Sequence, residues 1–471
     1  MQNIKNKKSI WGYRLYQLSS TIVPAIRYKS SLCCGLSTAI RQPFSSSNAV
    51  QQLRQHAVTL VTVFLLFFLA SLHTNAQQKE VLSLTEIIQK IDSNNILLKT
   101  YAIKAESYKY RADAATAWMP PMAGLGTFMT PYPFQDVMDA DKGSLMLRLE
   151  QDIPNRSKLQ ARKNYIESQG NIENATREIT LNDFKAQAKR QYFNWLIALQ
   201  KIEVIQKNES VLEMMKKIEE VRYPYNQSQL NMVFRAEAEI EKNRNMLTMP
   251  EAEIAKAKAY LNALMNREGN TDFIIDTSYE PRFTPVALYD TANLATTRKD
   301  VLRMNESIRS MQYNIESMKM ERKPDFKIQF DHMSPLSSMM PQAFGIMGMI
   351  SIPIAPWSKK MYQSGIRSMQ YDIEAMELER SAMLQETQGM LYGMQAEIQT
   401  MQRRIKAMED KVIPDLQKTF DASFLTYQEN KLSITELISN WEALYMMQID
   451  LLDEKQKLYQ MIVDYEKELY R

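Results

Sequence analysis

The 471-residue chain is short of reactive side chains. It has two cysteines, the adjacent Cys33 and Cys34, and three histidines, of which only His332 lies beyond residue 76. No nucleophile stands with a base, and there is no phosphate-binding loop and no His/Cys cluster with ligand spacing, so the sequence argues against an enzyme and asks for no cofactor. A net charge of +4 gives no reason to expect a nucleic-acid partner. Glycine is scarce: there are 12, none between Gly170 and Gly269, in a stretch rich in Ala, Glu, Lys, Gln, Leu and Met. These are good helix formers, and long helices are predicted there.

Both cysteines precede an apolar run from Ala57 to Leu72, which follows Arg54 and His56 and ends in Thr74-Asn75-Ala76. A basic flank, an apolar core and a small-residue exit read as a secretory signal cleaved after Ala76, within an extension over 1–76. The alternative is a membrane anchor, but the run is shorter than the ~20 residues a span needs. The 56 residues ahead of the run leave a later translation start open. A mature chain without cysteine suits an oxidising compartment and has no thiol for a lipid anchor.

Beyond that extension the chain is written twice, over 77–270 and 293–471, joined by a polar, proline-marked linker at 271–292. Ten of the 17 prolines fall in the windows 120–154 and 324–356. Each window follows a predicted helix, over 82–118 and 293–323, that ends where proline forbids continuation. Each holds one predicted hairpin, at about 122–153 and 326–354. In FKIQFD, Phe326, Ile328 and Phe330 alternate with Lys327, Gln329 and Asp331, and Leu145, Leu147 and Leu149 alternate with Met146, Arg148 and Glu150. Long amphipathic helices follow at 157–222 and 358–426, up to roughly 100 Å each at 1.5 Å per residue. Breaks at RYPYNQSQ and YQENK precede return helices starting at Leu230 and Leu432, with Pro250 and Pro414 predicted to kink the chain.

Four strands cannot close a membrane barrel, since the narrowest bacterial barrels use eight, and an open sheet edge cannot face lipid. If the hairpins enter a membrane, several chains share one barrel. Trp118 and Trp357 fall at the same end of the strands and suit a membrane interface. Arg156, Lys158, Lys359 and Lys360 lie there too, either near lipid phosphates or as a solvated helix start.

At this point the sequence resembles the TolC family of outer-membrane efflux channels over nearly all of residues 81–470. The resemblance rests on LSLTEIIQKIDSNNILLK with Asn94 and Asn95, the helix-ending prolines, IPNRSK and IPIAPWSKK after each hairpin, the two tips, and above all the doubled order of helix, hairpin, long helix and return helix. It implies a mainly α fold with a small membrane β part, and a homotrimer with a shared 12-stranded β-barrel and a trimeric α-barrel. It also implies a location in a Gram-negative outer membrane, with a long periplasmic portion, and partners in a periplasmic adaptor, an inner-membrane pump and outer-membrane lipid. Tyr427 and Glu436 are implied gate residues, and Tyr225, Leu230, Met232, Leu432 and Ile434 implied adaptor contacts. The pattern departs at Asn430, where glycine is common, at Leu432, where a basic residue can stand, and at Pro224 and Met232. Glu436 reads equally as an exposed helix residue. Drug efflux, type I protein secretion, or a periplasmic coiled-coil structural or adaptor role remain alternatives.

Methionine is abundant, with 32 in the chain. Residues 331–344, DHMSPLSSMMPQAF, are predicted to be the outer loop of the second hairpin, where His332, Met333, Met339 and Met340 would offer soft-metal ligands for Cu(I) or Ag(I). Met304, Met311 and Met318 recur every seven residues, as do Met369, Met376, Met383 and Met390, then Met394, Met401 and Met408. That interval keeps each series near one helix face and serves either packing or a metal path.

Overall fold

The computed structural model describes residues 80–286, 288–353 and 355–470. The cysteines, the apolar run and the expected cleavage point lie outside the described residues.

Strand β1 (Val81–Leu82) leads into α1 (Leu84–Asn94) and α2 (Ile96–Ala114). The sequence predicts one helix from Leu82 to Trp118, and the chain forms two. Asn95 divides them: its Oδ1 accepts from the backbone N–H groups of Leu97 and Leu98 at 3.0 and 3.4 Å, capping α2. Its amide donates to the Leu264 carbonyl at 2.9 Å, so this buried asparagine is satisfied at both ends. Helix α1 opens with a capping box in which Ser83 and Glu86 each bond the other's backbone N–H. Helix α2 stops at Ala114, short of the predicted end at Trp118.

Strands β2 (Met122–Phe128) and β3 (Ser144–Ile153) form the first hairpin. The 67-residue α3 (Arg156–Arg222) follows, then a short turn and the return helices α4 (Leu230–Met246) and α5 (Thr248–Leu264). The return breaks at Leu247, three residues ahead of Pro250. The linker is more than a tether. Its strand β4 (Ile274–Ile275) pairs in parallel with β1, and Phe273, Ile275 and Tyr289 are buried in the main core.

The second repeat begins with α6 (Thr291–Thr297) and α7 (Lys299–Met320), again two helices where one is predicted. At the break, Arg298 is buried between Asp300 and Glu468, at 2.6 and 3.0 Å. Strands β5 (Phe326–Pro335) and β6 (Ala343–Ile350) form the second hairpin. Strand β5 runs four residues past its predicted end, so His332 and Met333 belong to the strand and not to a loop. Helix α8 (Pro356–Ala407) passes through a π turn at Met408–Val412 into α9 (Ile413–Gln428). The π turn precedes Pro414, which has no N–H with which to continue the α ladder. Helix α10 (Ile434–Glu468) starts two residues later than predicted because Ser433 is its N-cap.

The hairpins join through β3 and β5 into one antiparallel sheet of order β2-β3-β5-β6. The helices continuous with those strands pack in the same order, α2 on α3, α3 on α7, and α7 on α8. Each strand therefore extends one helix of a layer. Two apolar cores hold the helices. One surrounds Ile87, Tyr192, Phe193, Leu196, Leu391 and Ile462, and the other, nearer the tips, surrounds Leu212, Met215, Leu437, Ile438 and Trp441.

Asn95→Ala should lower the denaturant midpoint of the helical part, with a cost of about 1–3 kcal/mol from the lost cap and the orphaned Leu264 carbonyl. Asn95→Asp keeps the cap acceptor, loses the amide donor, and should fall between the two. Chemical unfolding followed by circular dichroism ranks the three proteins, and an unchanged midpoint in Asn95→Ala would remove the role assigned to this residue.

Candidate functional site

The sheet is inside out for a water-soluble protein. Cross-strand partners share a face, and the register puts Leu125, Leu145, Leu147, Leu149, Ile328, Phe330, Phe344 and Ile346 on one side. Leu125 is 73% exposed, Ile328 49% and Ile346 71%. The opposite side carries Arg148, Glu150, Asp152, Lys327, Gln329 and Asp331, of which Gln329 and Asp331 are only 6% and 9% exposed. Those polar groups satisfy one another. Arg148 donates to Asp331 through Nε at 2.8 Å, Gln329 donates to the same carboxylate at 2.6 Å, and Lys327 pairs with Glu150 and, at 3.3 Å, with Asp152. Strands β2 and β6 each have a partner on one side only among the described residues.

Trp118 and Trp357 are both exposed, just before β2 and just after β6, at the end where the strands meet the helices. Lys158, which the sequence left as either near lipid phosphates or part of a solvated helix start, is held at 2.6 Å by Asp325 and at 3.6 Å by Glu321. The IPNRSK segment is a junction: Asn155 caps α3 by accepting from the N–H of Ser157, and its own N–H donates to Asp325.

Residues 331–344 divide between strand and turn. His332 pairs with Leu147 and Phe344 on the apolar face, Met333 lies on the polar face opposite Met146, and Met339 and Met340 are exposed in the turn. Neighbouring strand residues alternate sides, so the geometry does not bring His332 and Met333 to one point.

At the other end of the helices, the two tips close with matching turns. Asn226 (φ 58°) and Asn430 (φ 60°) adopt the left-handed conformation. Around them Gln227 bonds back to the Arg222 carbonyl and Lys431 to the Thr426 carbonyl, as in Schellman helix ends. Asparagine enters that region more readily than other residues with a side chain, so Asn430 fills the place of glycine.

Tyr427, on the last turn of α9, crosses between the tips. Its ring is 1% exposed. Its hydroxyl donates to one oxygen of Glu219 on α3, and Ser228 donates to the other. The Arg222 guanidinium lies 4.5 Å from the ring centroid and donates to the carbonyls of Tyr427 and Gln428 at 2.7 and 3.0 Å. Burial and the hydrogen bond to Glu219 push the Tyr427 hydroxyl well above the usual phenol range. It is therefore a donor at neutral pH, and its contribution is lost only as pH rises through that elevated value. Glu436 is exposed in the first turn of α10, where its backbone N–H bonds Ser433, and does not join this cluster.

Among the expected adaptor contacts, Tyr225 and Leu230 are exposed, whereas Met232 and Leu432 are half-buried against the tip core. Ile434 is 3% exposed within that core and is no part of an accessible surface, because the first turn of α10 turns it inward. Phe234, 59% exposed, adds to the accessible patch and was not singled out by sequence. Glu219, Arg222 and Ser228 were also missed. They stand among ordinary charged and polar helix-end residues, and only their meeting with Tyr427 distinguishes them.

No protein-family model matches the chain, and no characterised protein matches it by sequence. Solved structures do match by fold. The outer-membrane channel OprN is similar with a TM-score of 0.65 at 13% identity, covering 82% of this chain and 89% of that one. CusC, described by its transmembrane channel formation, is similar with a TM-score of 0.65 at 15% identity, covering 85% and 95%. The outer-membrane protein VceC of Vibrio cholerae is similar with a TM-score of 0.63 at 15% identity, covering 82% and 95%. The chain has the fold of the TolC-like outer-membrane channels.

Tyr427→Phe should leave the buried Glu219 short of one donor, a local cost of about 1–3 kcal/mol. Hydrogen exchange should quicken in peptides spanning 219–234 and 420–432 while the main core stays protected. Unaltered tip exchange would show that this contact does not hold the tips together.

Proposed function

We propose that the chain is the exit duct of a tripartite efflux system in a Gram-negative outer membrane, working as a homotrimer. The observation that carries this reading is the inverted sheet, apolar outside, polar inside and open at both edges. In lipid, unpaired backbone groups cost several kcal/mol each, so β6 of one copy must pair with β2 of the next. Three copies of this four-stranded sheet make a 12-stranded barrel.

The helices support the same closure. Helices α2 and α8 are the outer members of the layer, and each leaves an apolar stripe unpartnered within the chain. Ile96, Ile103 and Tyr110 on α2 are 62%, 71% and 70% exposed, and Tyr371 and Leu378 on α8 are 60% and 68% exposed. Their separations are multiples of seven, the repeat of helix seams that wind about each other. Two different edges meeting head to tail build a ring.

In this reading Trp118 and Trp357 mark the inner membrane interface, and the helices stand in the periplasm. The tips, with Tyr225, Leu230 and Phe234 accessible, receive a periplasmic adaptor and through it an inner-membrane pump. The Tyr427, Glu219 and Arg222 cluster is the resting latch, with Glu436 as a charged ring residue beside it. The duct is passive. Cu(I) or Ag(I) is the cargo we favour, although the helix series no longer supports it. Met369 and Met408 are buried, and Met394 and Met401 pack on the main core, as methionine does in a seam. The metal reading therefore rests on the methionines of the sheet.

Mass measurement of detergent-extracted protein should give three copies, and a stable soluble monomer would refute the assembly. In planar bilayers Tyr427→Phe should raise conductance at least about tenfold, the factor that corresponds to about 1.4 kcal/mol. Cells lacking the protein should become sensitive to copper or silver. Sensitivity confined to dyes, bile salts or antibiotics would keep the duct and reject the metal cargo.

A further inference from the structure

The methionines fall into two populations. Those in seven-residue series lie on the helix faces of α7 and α8, where Met369 is 9% and Met390 38% exposed, and the Met318 sulfur lies 2.8 Å from where a Cβ on Gly365 would stand. Met146 and Met333 are placed differently. They are direct cross-strand partners on β3 and β5, on the face that carries Arg148, Glu150, Gln329 and Asp331. Gly126 is the outer neighbour of Met146 and Ala343 that of Met333, so small residues flank the pair on both sides. A Cβ on Gly126 would meet nothing within 4 Å. Two half-buried thioethers thus lie side by side among charged groups, with open space at Gly126 beside them.

We propose that Met146 and Met333 form a two-thioether binding site for a soft monovalent ion, Cu(I) or Ag(I), on the channel-facing wall of the sheet. The site rests on the reading of that face as a channel wall. Cross-strand Cβ atoms stand about 4.5–5.5 Å apart, and a methionine side chain with three rotatable bonds lets both sulfurs turn to one ion. Thioethers select soft ions of this kind. The local field does not oppose binding. Arg148 Nη2 approaches the Met146 sulfur to 3.8 Å, but the same guanidinium is held by Asp331, so the pair is neutral. Two uncharged ligands hold an ion loosely, as a conduit needs if its cargo is to leave. In a trimer three such pairs form a ring at one level. His332, on the opposite face, is no part of it.

Silver(I) added in chloride-free buffer to the detergent-extracted trimer tests the site, with bound metal read by mass spectrometry and calorimetry. Leucine keeps the volume of methionine, so the Met146→Leu, Met333→Leu double variant should extract as a trimer. It should bind silver at least about tenfold more weakly than the natural protein, a difference of about 1.4 kcal/mol. His332→Ala and the Met339→Leu, Met340→Leu variant should bind as the natural protein does. Unchanged binding by the double variant, or loss in either of the other two, overturns the assignment. A trimer that takes up no silver rejects this site and leaves the duct intact, whereas failure to extract any trimer from membranes brings both down.

Discussion

The proposed assembly answers to one constraint, that a sheet bordered by lipid cannot leave its edge N–H and C=O groups unpaired. Four strands in the order β2-β3-β5-β6 leave two such edges. The helices inherit the same problem because α2, α3, α7 and α8 pack in the order of the strands they continue. In the proposed trimer a single rotation relating neighbouring copies must therefore satisfy hydrogen bonding at the sheet and seam packing at the helices together. The stripe of Ile96, Ile103 and Tyr110 on one edge and the pair Tyr371 and Leu378 on the other give this rotation apolar surface on both partners.

At the tips the governing term is desolvation. Glu219 is 3% exposed and is held by two hydroxyl donors, Tyr427 and Ser228, while the nearby Arg222 spends its hydrogen bonds on carbonyls and its face on the tyrosine ring. A carboxylate held by neutral donors is stabilised less than one in a buried ion pair, but it recovers much of its solvation when water reaches it. Such a contact can be opened at moderate cost. Within the proposed latch, the contact across the two tips is this neutral-donor cluster and not an ionic link at Leu432.

Much of this was legible in the sequence. The proline windows, the doubled order of elements and the alternation in FKIQFD located the hairpins and the long helices. Alternation, however, states that two faces differ and not which one is inward. The 49% exposure of Ile328 against 9% for Asp331 supplied that direction. The pairing of β1 with β4 escaped notice because two-residue strands carry no period. Ile434 looked accessible for its place near a turn, and Lys158 looked free because its partners, Asp325 and Glu321, come from the other repeat. Glu219 is one of many glutamates in α3, and no local pattern marks it as the one that meets Tyr427. A seven-residue methionine interval likewise serves a packed seam and a ligand path equally well, and only burial separates them.

The charges on the polar face of the sheet bear on where selection takes place. Arg148 and Lys327 stand against Glu150, Asp152 and Asp331, with each cation held by at least one carboxylate. In the proposed water-filled barrel, paired charges produce weak fields that fade within about 8 Å at physiological ionic strength. Such a wall neither traps nor excludes ions by charge. In the proposed duct, what discriminates among solutes must then act at the tips, and what acts in the barrel must be local and chemical. Two thioethers side by side are a contact of that kind, since their preference for soft ions depends on bonding and not on the field around them.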